Sequence, residues 1–126
     1  MVTAIDTNVL ARWLVQDHPL LARKASTIIT TAQPNSLEVD RLILAELTYV
    51  LRSNYEMPKP MIVENLYSIL SMEAFSFQER ELVQSAVSIF AAQRPLSFED
   101  SWLLARKQAG DVSSIATFDK ALDKRQ

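Results

Sequence analysis

A short apolar run at residues 2–5 is followed directly by Asp6-Thr7-Asn8, and this junction constrains the fold more than any other feature of the chain. A short, near-continuous apolar run suits a central strand that is buried on both faces of a sheet. The residues after the junction, up to about Val15, carry apolar side chains at helical spacing. A strand that passes at once into a helix is typical of parallel sheets that are covered by helices.

Strand-like and helical segments continue to alternate over the rest of the chain, which favours the same α/β class. Further short strands are predicted at residues 37–39, 73–77 and 112–117. Prolines, capping residues and the single glycine, Gly110, mark where helices begin and end. The sequence therefore predicts roughly four strands and seven helices, and the helices should begin near residues 7, 18, 42, 60, 78, 97 and 120.

With 126 residues, of which 48% are hydrophobic and 22% charged, the composition is that of a single soluble globular domain. No apolar run approaches the roughly 20 residues of a membrane-spanning helix, and the N-terminus lacks the pattern of a secretion signal. Cysteine is absent, which excludes disulfide frameworks and thiol nucleophiles. We therefore expect a cytoplasmic protein with no membrane partner.

Four acidic residues stand in or beside apolar sequence, where a carboxylate is unusual: Asp6, Glu46, Asp100 and Asp119. A buried carboxylate without a partner is costly, so a cluster of carboxylates requires cations or shared protons. The only histidine is His18, which excludes a histidine-rich metal site and catalysis by paired imidazoles. If the four acids converge, the simplest compensation is a divalent metal, and such a metal suggests phosphate-ester chemistry.

Each of these acids also has a purely structural interpretation. Asp6 and Asp119 can cap the helices that follow them, and Asp100 can complete a capping box with Ser97. Glu46 shares a helix face with apolar side chains, but it can equally mark the one face of that helix that is turned to solvent. Both interpretations stay open for every acid at the level of the sequence.

Two polar residues are candidate accessories to the acids. Asn8 is either an ordinary residue of the first helical turn or a neutral hydrogen-bonding group that orients Asp6. Thr117 is expected to point to the same side of the last strand as Asp119, because side chains alternate along a strand. A hydroxyl group and a carboxylate would then meet in one site.

Four short motifs occur in order: Asp-Thr-Asn at 6–8, Leu-Ala-Glu-Leu at 44–47, Phe-Glu-Asp at 98–100 and Thr-Phe-Asp-Lys at 117–120. Together they resemble the PIN domain, and most of all the VapC-type toxins of bacterial and archaeal toxin–antitoxin pairs. The resemblance covers essentially the whole chain. It implies one PIN-like nuclease domain over residues 1–126, built as a three-layer α/β/α sandwich with a mostly parallel sheet of four or five strands and about seven helices.

The same resemblance implies an endoribonuclease that depends on Mg²⁺ or Mn²⁺ and acts on RNA. It also implies a homodimer that is silenced by a cognate antitoxin protein. The residues it places in the metal-binding, catalytic pocket are Asp6, Glu46, Asp100 and Asp119, with Asn8 and Thr117 at polar accessory positions.

The net charge of −2 gives no direct support for binding to nucleic acid. The four acids carry −4 when ionised, so the other residues sum to +2 and are weakly basic. Arg12, Arg106 and Lys107 are the cations predicted to follow the RNA backbone, and their contribution should depend on salt.

Two other functions compete with that of a nuclease. A phosphatase of the haloacid dehalogenase type also begins with an acid after its first strand, but it needs a second aspartate where this chain has Asn8. A PIN-like module that binds RNA or a protein partner without cutting is the non-enzymatic alternative. The presence of all four acids argues against a decayed site.

Overall fold

A computed structural model describes residues 2–93 and 95–126. This part of the chain contains seven helices and three strands, in the alternating order that the sequence predicts. The strands are β1 (Thr3–Ala4), β2 (Leu37–Glu38) and β3 (Phe75–Ser76). The helices are α1 (Thr7–Val15), α2 (Pro19–Thr31), α3 (Arg41–Ser53), α4 (Lys59–Ser71), α5 (Arg80–Ala92), α6 (Phe98–Gln108) and α7 (Lys120–Lys124).

The three strands form one parallel sheet in the order β1-β2-β3. Thr3 pairs with Leu37, and Leu37 pairs in turn with Phe75. Parallel strands that are joined by helices confirm the predicted α/β class, while the three-layer sandwich stays a prediction. The central strand among the described residues is β2. The prediction of a buried, central first strand is therefore wrong, because β1 pairs on one side only and its two residues are exposed.

Residues 112–117, predicted as a last strand, form no strand in the structure. The backbone of Ile115 bonds instead to the side-chain amide of Gln126. The Ile115 N–H donates to Gln126 Oε1 at 2.8 Å, and Gln126 Nε2 donates to the Ile115 carbonyl oxygen at 2.9 Å. The side-chain amide of Gln126 thus bonds to the N–H and C=O groups of Ile115 that would otherwise pair with a neighbouring strand. With three strands among the described residues, the predicted four or five are not confirmed.

Side chains cap the starts of helices α2 and α3. Asp40 accepts a hydrogen bond from the Leu42 N–H at 2.8 Å at the start of α3. At α2 the capping residue is His18, whose Nδ1 accepts from the Leu21 N–H at 3.2 Å. Helix α6 is followed by Gly110, which has a φ of +79°, a left-handed conformation that favours glycine.

The chain divides into two compact units, Met1–Gln78 and Glu79–Gln126. The first unit holds the sheet, and in it α1 packs against α2 and α3, while α3 also packs against α4. The ring of Trp13 meets the fully buried ring of Phe75 edge to face, with the centroids 5.8 Å apart. Trp13 therefore contributes to packing in this unit, as an aromatic residue at a helical core position should.

The second unit is built mainly from the pair α5 and α6, which pack along each other. Phe90 and Phe98 make an edge-to-face contact between these helices, with centroids 6.2 Å apart. A smaller buried cluster holds α7 in place and comprises Leu96, Leu104 and Leu122. The prediction of a single domain over residues 1–126 stays a prediction. Within residues 2–93 and 95–126, none of the helices combines the length and apolar character needed to span a bilayer.

Candidate functional site

The carboxyl edge of the sheet carries three polar residues in register. Ala4 pairs with Glu38, and Glu38 pairs with Ser76, so the three strands end side by side. The second residues beyond these strand ends are Asp6, Asp40 and Gln78. In open parallel sheets the carboxyl ends of the strands border the crevice in which ligands bind. The first predicted acid therefore lies at the edge of the sheet that is suited to chemistry.

Asp6 is exposed and caps α1. Its Oδ1 accepts a hydrogen bond from the Thr7 N–H at 2.8 Å, so the capping interpretation is correct for this acid. No described residue donates a hydrogen bond to Asp6 Oδ2, which leaves that oxygen available to a ligand. Asn8 is exposed in the first turn of α1, and the described residues show no hydrogen bond between it and Asp6.

The residue after Asp6 has an unusual environment. Thr7 is 1% exposed, and its Oγ1 has no hydrogen-bond partner among the described residues. A buried hydroxyl group without a partner is destabilising, because it has lost its hydrogen bonds to water. Sequence patterns gave no indication of this, since a threonine in a first helical turn is ordinary.

Glu46 lies in the second turn of α3 and is exposed. Its exposure shows that it lies on the outward face of a largely apolar helix, and its place in an acidic pocket stays a prediction. Two large side chains on the same face, Leu42 and Tyr49, are exposed as well. The outward face of α3 thus carries an acidic side chain between two large apolar side chains, which is unlike an ordinary solvated helix face.

Asp100 is the third residue of α6 and is half-buried. Its N–H donates to Ser97 Oγ at 3.1 Å, and the Ser97 N–H donates to Asp100 Oδ2 at 3.4 Å. These two bonds form the capping box that the sequence allowed. Ser101, fully buried, donates from its Oγ to the Ser97 carbonyl oxygen at 2.8 Å. The start of α6 is therefore held by side chains on both sides of the acid.

Asp119 caps α7 with a single oxygen: Oδ1 accepts from the N–H groups of Ala121 at 2.8 Å and Leu122 at 3.1 Å. Thr117 Oγ1 accepts from the Asp119 N–H at 3.0 Å. The Thr117 hydroxyl group therefore bonds to the backbone of Asp119, and its meeting with the Asp119 carboxylate in one site stays a prediction. Phe118, which lies between them, is fully exposed.

The two units each contain two of the predicted acids: Asp6 and Glu46 in the first, Asp100 and Asp119 in the second. In the part of the chain that the structure describes, no three His, Asp or Glu side chains are grouped so that they could hold a metal ion. The convergence of all four acids stays a prediction. The donor chemistry itself fits, because all four are carboxylates, the ligands that Mg²⁺ and Mn²⁺ prefer.

The three cations predicted to contact RNA all have partners on this chain. Arg12 pairs with Asp17, with Nη1 and Oδ1 3.3 Å apart. Arg106 Nε lies 2.6 Å from Asp111 Oδ2. Lys107 Nζ donates to the backbone carbonyl oxygen of the last residue at 3.0 Å. Their proposed role in RNA binding is untested, and these contacts compete with it.

One further exposed cation, Arg52, lies over an aromatic ring. The guanidinium carbon of Arg52 lies 5.9 Å from the centre of the Tyr49 ring. Both residues are exposed near the C-terminal end of α3. The spacing of an aromatic residue and an arginine three positions later on one helix could have indicated this contact, because such residues are neighbours on a helix surface.

Comparison with known proteins gives one match. The model of the family described as PIN domain matches residues 3–126. No curated protein and no solved structure shows significant similarity to the chain. A match that covers nearly all of the sequence shows that this chain belongs to the PIN-domain family, whose members are in general nucleases that typically use divalent metal ions.

Proposed function

We propose that this protein is an endoribonuclease that hydrolyses RNA phosphodiester bonds with the help of Mg²⁺ or Mn²⁺. The observation that carries the proposal is the PIN-domain match over residues 3–126, within which the four acids occur in the expected order. The match also supports a single nuclease domain over the whole chain. A phosphatase of the haloacid dehalogenase type is disfavoured by the same match and by the amide at Asn8.

The residues that would hold the metal are Asp6, Glu46, Asp100 and Asp119. When bound, a divalent ion makes a coordinated water more acidic and neutralises charge that develops on a phosphate. A donor set of carboxylates alone suits a hard cation and contains no ligand that would select zinc or copper.

The chain's own contribution is to hold these carboxylates in fixed orientations. In Asp6 and Asp119 the cap occupies Oδ1, and in Asp100 the capping box occupies Oδ2. Among the described residues, the second oxygen of each of these side chains accepts no hydrogen bond. A carboxylate that is held by one oxygen and open at the other is preorganised to bind a cation without reorganising first.

Asn8 and Thr117 serve as accessory residues in this proposal. Thr117 Oγ1 fixes the backbone at Asp119, which limits the orientations that this acid can take. Asn8 is exposed two residues after Asp6, so its amide is available to a ligand at the carboxyl edge of the sheet. Arg12, Arg106 and Lys107 would contact the RNA backbone through donors that their present partners leave unused.

We further propose that the protein is the toxin of a toxin–antitoxin pair and cleaves RNA in the cytoplasm. The active species would be a homodimer, and a cognate antitoxin would inhibit it. The four ordered motifs support it. Induced expression of the chain in bacteria should arrest growth, and expression of Asp6→Asn at the same level should not. Equal growth with both proteins would contradict the toxin role and leave the nuclease proposal to the assay below.

The enzymatic activity is tested with purified protein and total RNA. Cleavage should occur in Mg²⁺ or Mn²⁺, stop when EDTA is added, and return when the metal is restored in excess. A protein that binds RNA but leaves it intact under all these conditions would instead be a PIN-like binding module, the non-enzymatic alternative. Calorimetric titration with Mn²⁺ separates the two further, because a binding module that needs no metal should give no heat.

A further inference from the structure

A side-chain amide closes the stretch of chain that carries Asp119. Residues 111–119, all of which the structure describes, form neither helix nor strand. Beyond α7, the Gln126 side chain bonds to both backbone polar groups of Ile115: Oε1 accepts from the N–H at 2.8 Å, and Nε2 donates to the carbonyl oxygen at 2.9 Å. These two bonds close a ring of residues 115–126, and Asp119 lies within it.

The point at which the ring closes is held by further contacts. Gln126 Nε2 also donates to Asp123 Oδ1 at 3.0 Å, which orients the amide. Lys107 Nζ, on α6, donates to the backbone carbonyl oxygen of Gln126 at 3.0 Å. The Ile115 side chain packs against the buried leucine cluster that holds α7. The amide of Gln126 is therefore fixed on the core of the second unit.

The two bonds between Gln126 and Ile115 contribute more to orientation than to stability. They lie at the surface, where water could bond to the same backbone groups. Exchanging bonds to water for bonds within the protein changes the free energy of unfolding only slightly. What the amide adds is a single path for the backbone in a segment that has no helix or strand to guide it.

That path leads directly to the proposed metal ligand. Two residues after Ile115, Thr117 Oγ1 accepts from the Asp119 N–H at 3.0 Å. On the other side, Asp119 Oδ1 accepts from two N–H groups of α7. The orientation of Asp119 thus depends both on the segment before it and on the helix after it, and Gln126 is the residue that joins these two.

We propose that Gln126 is a positioning residue for Asp119: its amide holds the segment before Asp119 against α7 and so fixes the direction in which the carboxylate meets a metal. The inference rests on the proposed nuclease function, because that function gives Asp119 a metal to bind. Removing a group that holds a metal ligand without touching the metal commonly lowers metal affinity by roughly 10- to 100-fold.

Amide hydrogen exchange in the metal-free protein tests the positioning itself. In Gln126→Ala the Ile115 N–H loses its acceptor and should exchange faster. The Asp119 N–H bonds to Thr117 and not to Gln126, yet it should also exchange several-fold faster, because the segment that carries Thr117 is no longer fixed. Amides within α5 should keep their wild-type rates, which establishes that the unit is folded. Faster exchange at Ile115 alone would overturn the proposal.

Metal binding and cleavage test the consequence for Asp119. In calorimetric titration, Gln126→Ala should bind Mn²⁺ about tenfold more weakly than the wild type. Excess Mn²⁺ should restore most of the rate of RNA cleavage, while KM for RNA stays unchanged. Gln126→Met keeps the length of the side chain without the amide and should behave like Gln126→Ala. The matched control is Gln108→Ala, an exposed glutamine at the end of α6, which should behave like the wild type.

Two further results would overturn the positioning role: wild-type Mn²⁺ affinity in Gln126→Ala, or a loss of cleavage in that variant that no Mn²⁺ concentration restores. Failure of the nuclease proposal is recognised separately, as wild-type protein that takes up no Mn²⁺ and leaves RNA intact. The positioning of a metal ligand would then fall with it, even where hydrogen exchange links Gln126 to Asp119.

Discussion

Ser97 and Asp100 bond to each other reciprocally at the start of α6: Asp100 N–H donates to Ser97 Oγ at 3.1 Å, and Ser97 N–H donates to Asp100 Oδ2 at 3.4 Å. The same two bonds cap the first turn of the helix and fix the carboxylate of a proposed metal ligand. Structural and chemical roles are therefore not alternatives at this residue. A capped helix end is a rigid place on which to hold an acid.

Ser97→Ala removes the acceptor for the Asp100 N–H and should lower the free energy of unfolding by about 1 kcal/mol, the usual cost of losing an N-cap. Urea denaturation followed by circular dichroism measures this. Ser88→Ala is the control, because Ser88 is exposed within α5 and alanine is well accepted in a helix interior. Equal stability of the two variants would show that the capping box contributes nothing.

Two substitutions of Asp6 separate its role as a helix cap from its proposed role as a metal ligand. Asparagine caps helices as well as aspartate does, so Asp6→Asn should unfold at nearly the same urea concentration as the wild type. Asp6→Ala lacks any acceptor for the Thr7 N–H and should lose about 1 kcal/mol of stability. If Asp6→Asn were as unstable as Asp6→Ala, the negative charge and not the cap would be what stabilises α1.

The buried hydroxyl group of Thr7 leads us to predict that its removal stabilises the protein. Because Oγ1 is buried without a partner, Thr7→Val exchanges a desolvated hydroxyl group for a methyl group of similar size and should raise the free energy of unfolding by about 1 kcal/mol. Thr48 is the matched control, since it is also buried but donates to the Ala45 carbonyl oxygen at 2.8 Å. Thr48→Val should therefore be destabilising or neutral, and a stability gain of equal size in both variants would contradict the assignment.

Phe118 and Phe98 differ in burial within the same unit. Phe118 is fully exposed and Phe98 is buried. Phe98→Ala should cost about 3–5 kcal/mol, the usual range for a core phenylalanine. Phe118→Ala should change stability by less than about 0.5 kcal/mol. Thermal or urea unfolding of both variants measures the difference, and a large loss in Phe118→Ala would mean that this ring is covered in solution.

Local sequence signals predicted the helices well. Ser97 and Asp119 lie at the helix starts that their capping chemistry indicated, and Gly110 has the left-handed φ expected after α6. Capping depends on residues within one turn, so it can be seen in the sequence alone. The α/β class followed from the alternation of segments for the same reason.

Strand positions were predicted less well because pairing depends on distant residues. Nothing near Ile115 shows that its backbone bonds to the amide of Gln126, eleven residues away. Likewise the position of β1 at an edge follows from which strands pair with it, and the apolar run at residues 2–5 contains no information on that.

The candidate site shows the same difference between features set by nearby residues and features set by distant ones. The assignment of Asp6, Glu46, Asp100 and Asp119 to one site stays a prediction, whereas the caps that three of them form are confirmed. The sequence missed the contact between Tyr49 and Arg52 because its search for RNA-binding cations considered charge alone. The partners of Arg12 and Arg106 are only five residues away but become evident only once the helix ends are known.

Cleavage of RNA by matched glutamate variants tests the central claim most directly. Glu46 and Glu64 are both exposed glutamates on helices of the first unit, and only Glu46 belongs to the proposed acidic set. In Mg²⁺ or Mn²⁺, Glu46→Gln and Asp6→Asn should leave RNA intact while Glu64→Gln cuts it at the wild-type rate, with all three proteins equally folded. Cleavage by Glu46→Gln and Asp6→Asn at the rate of Glu64→Gln would contradict the account.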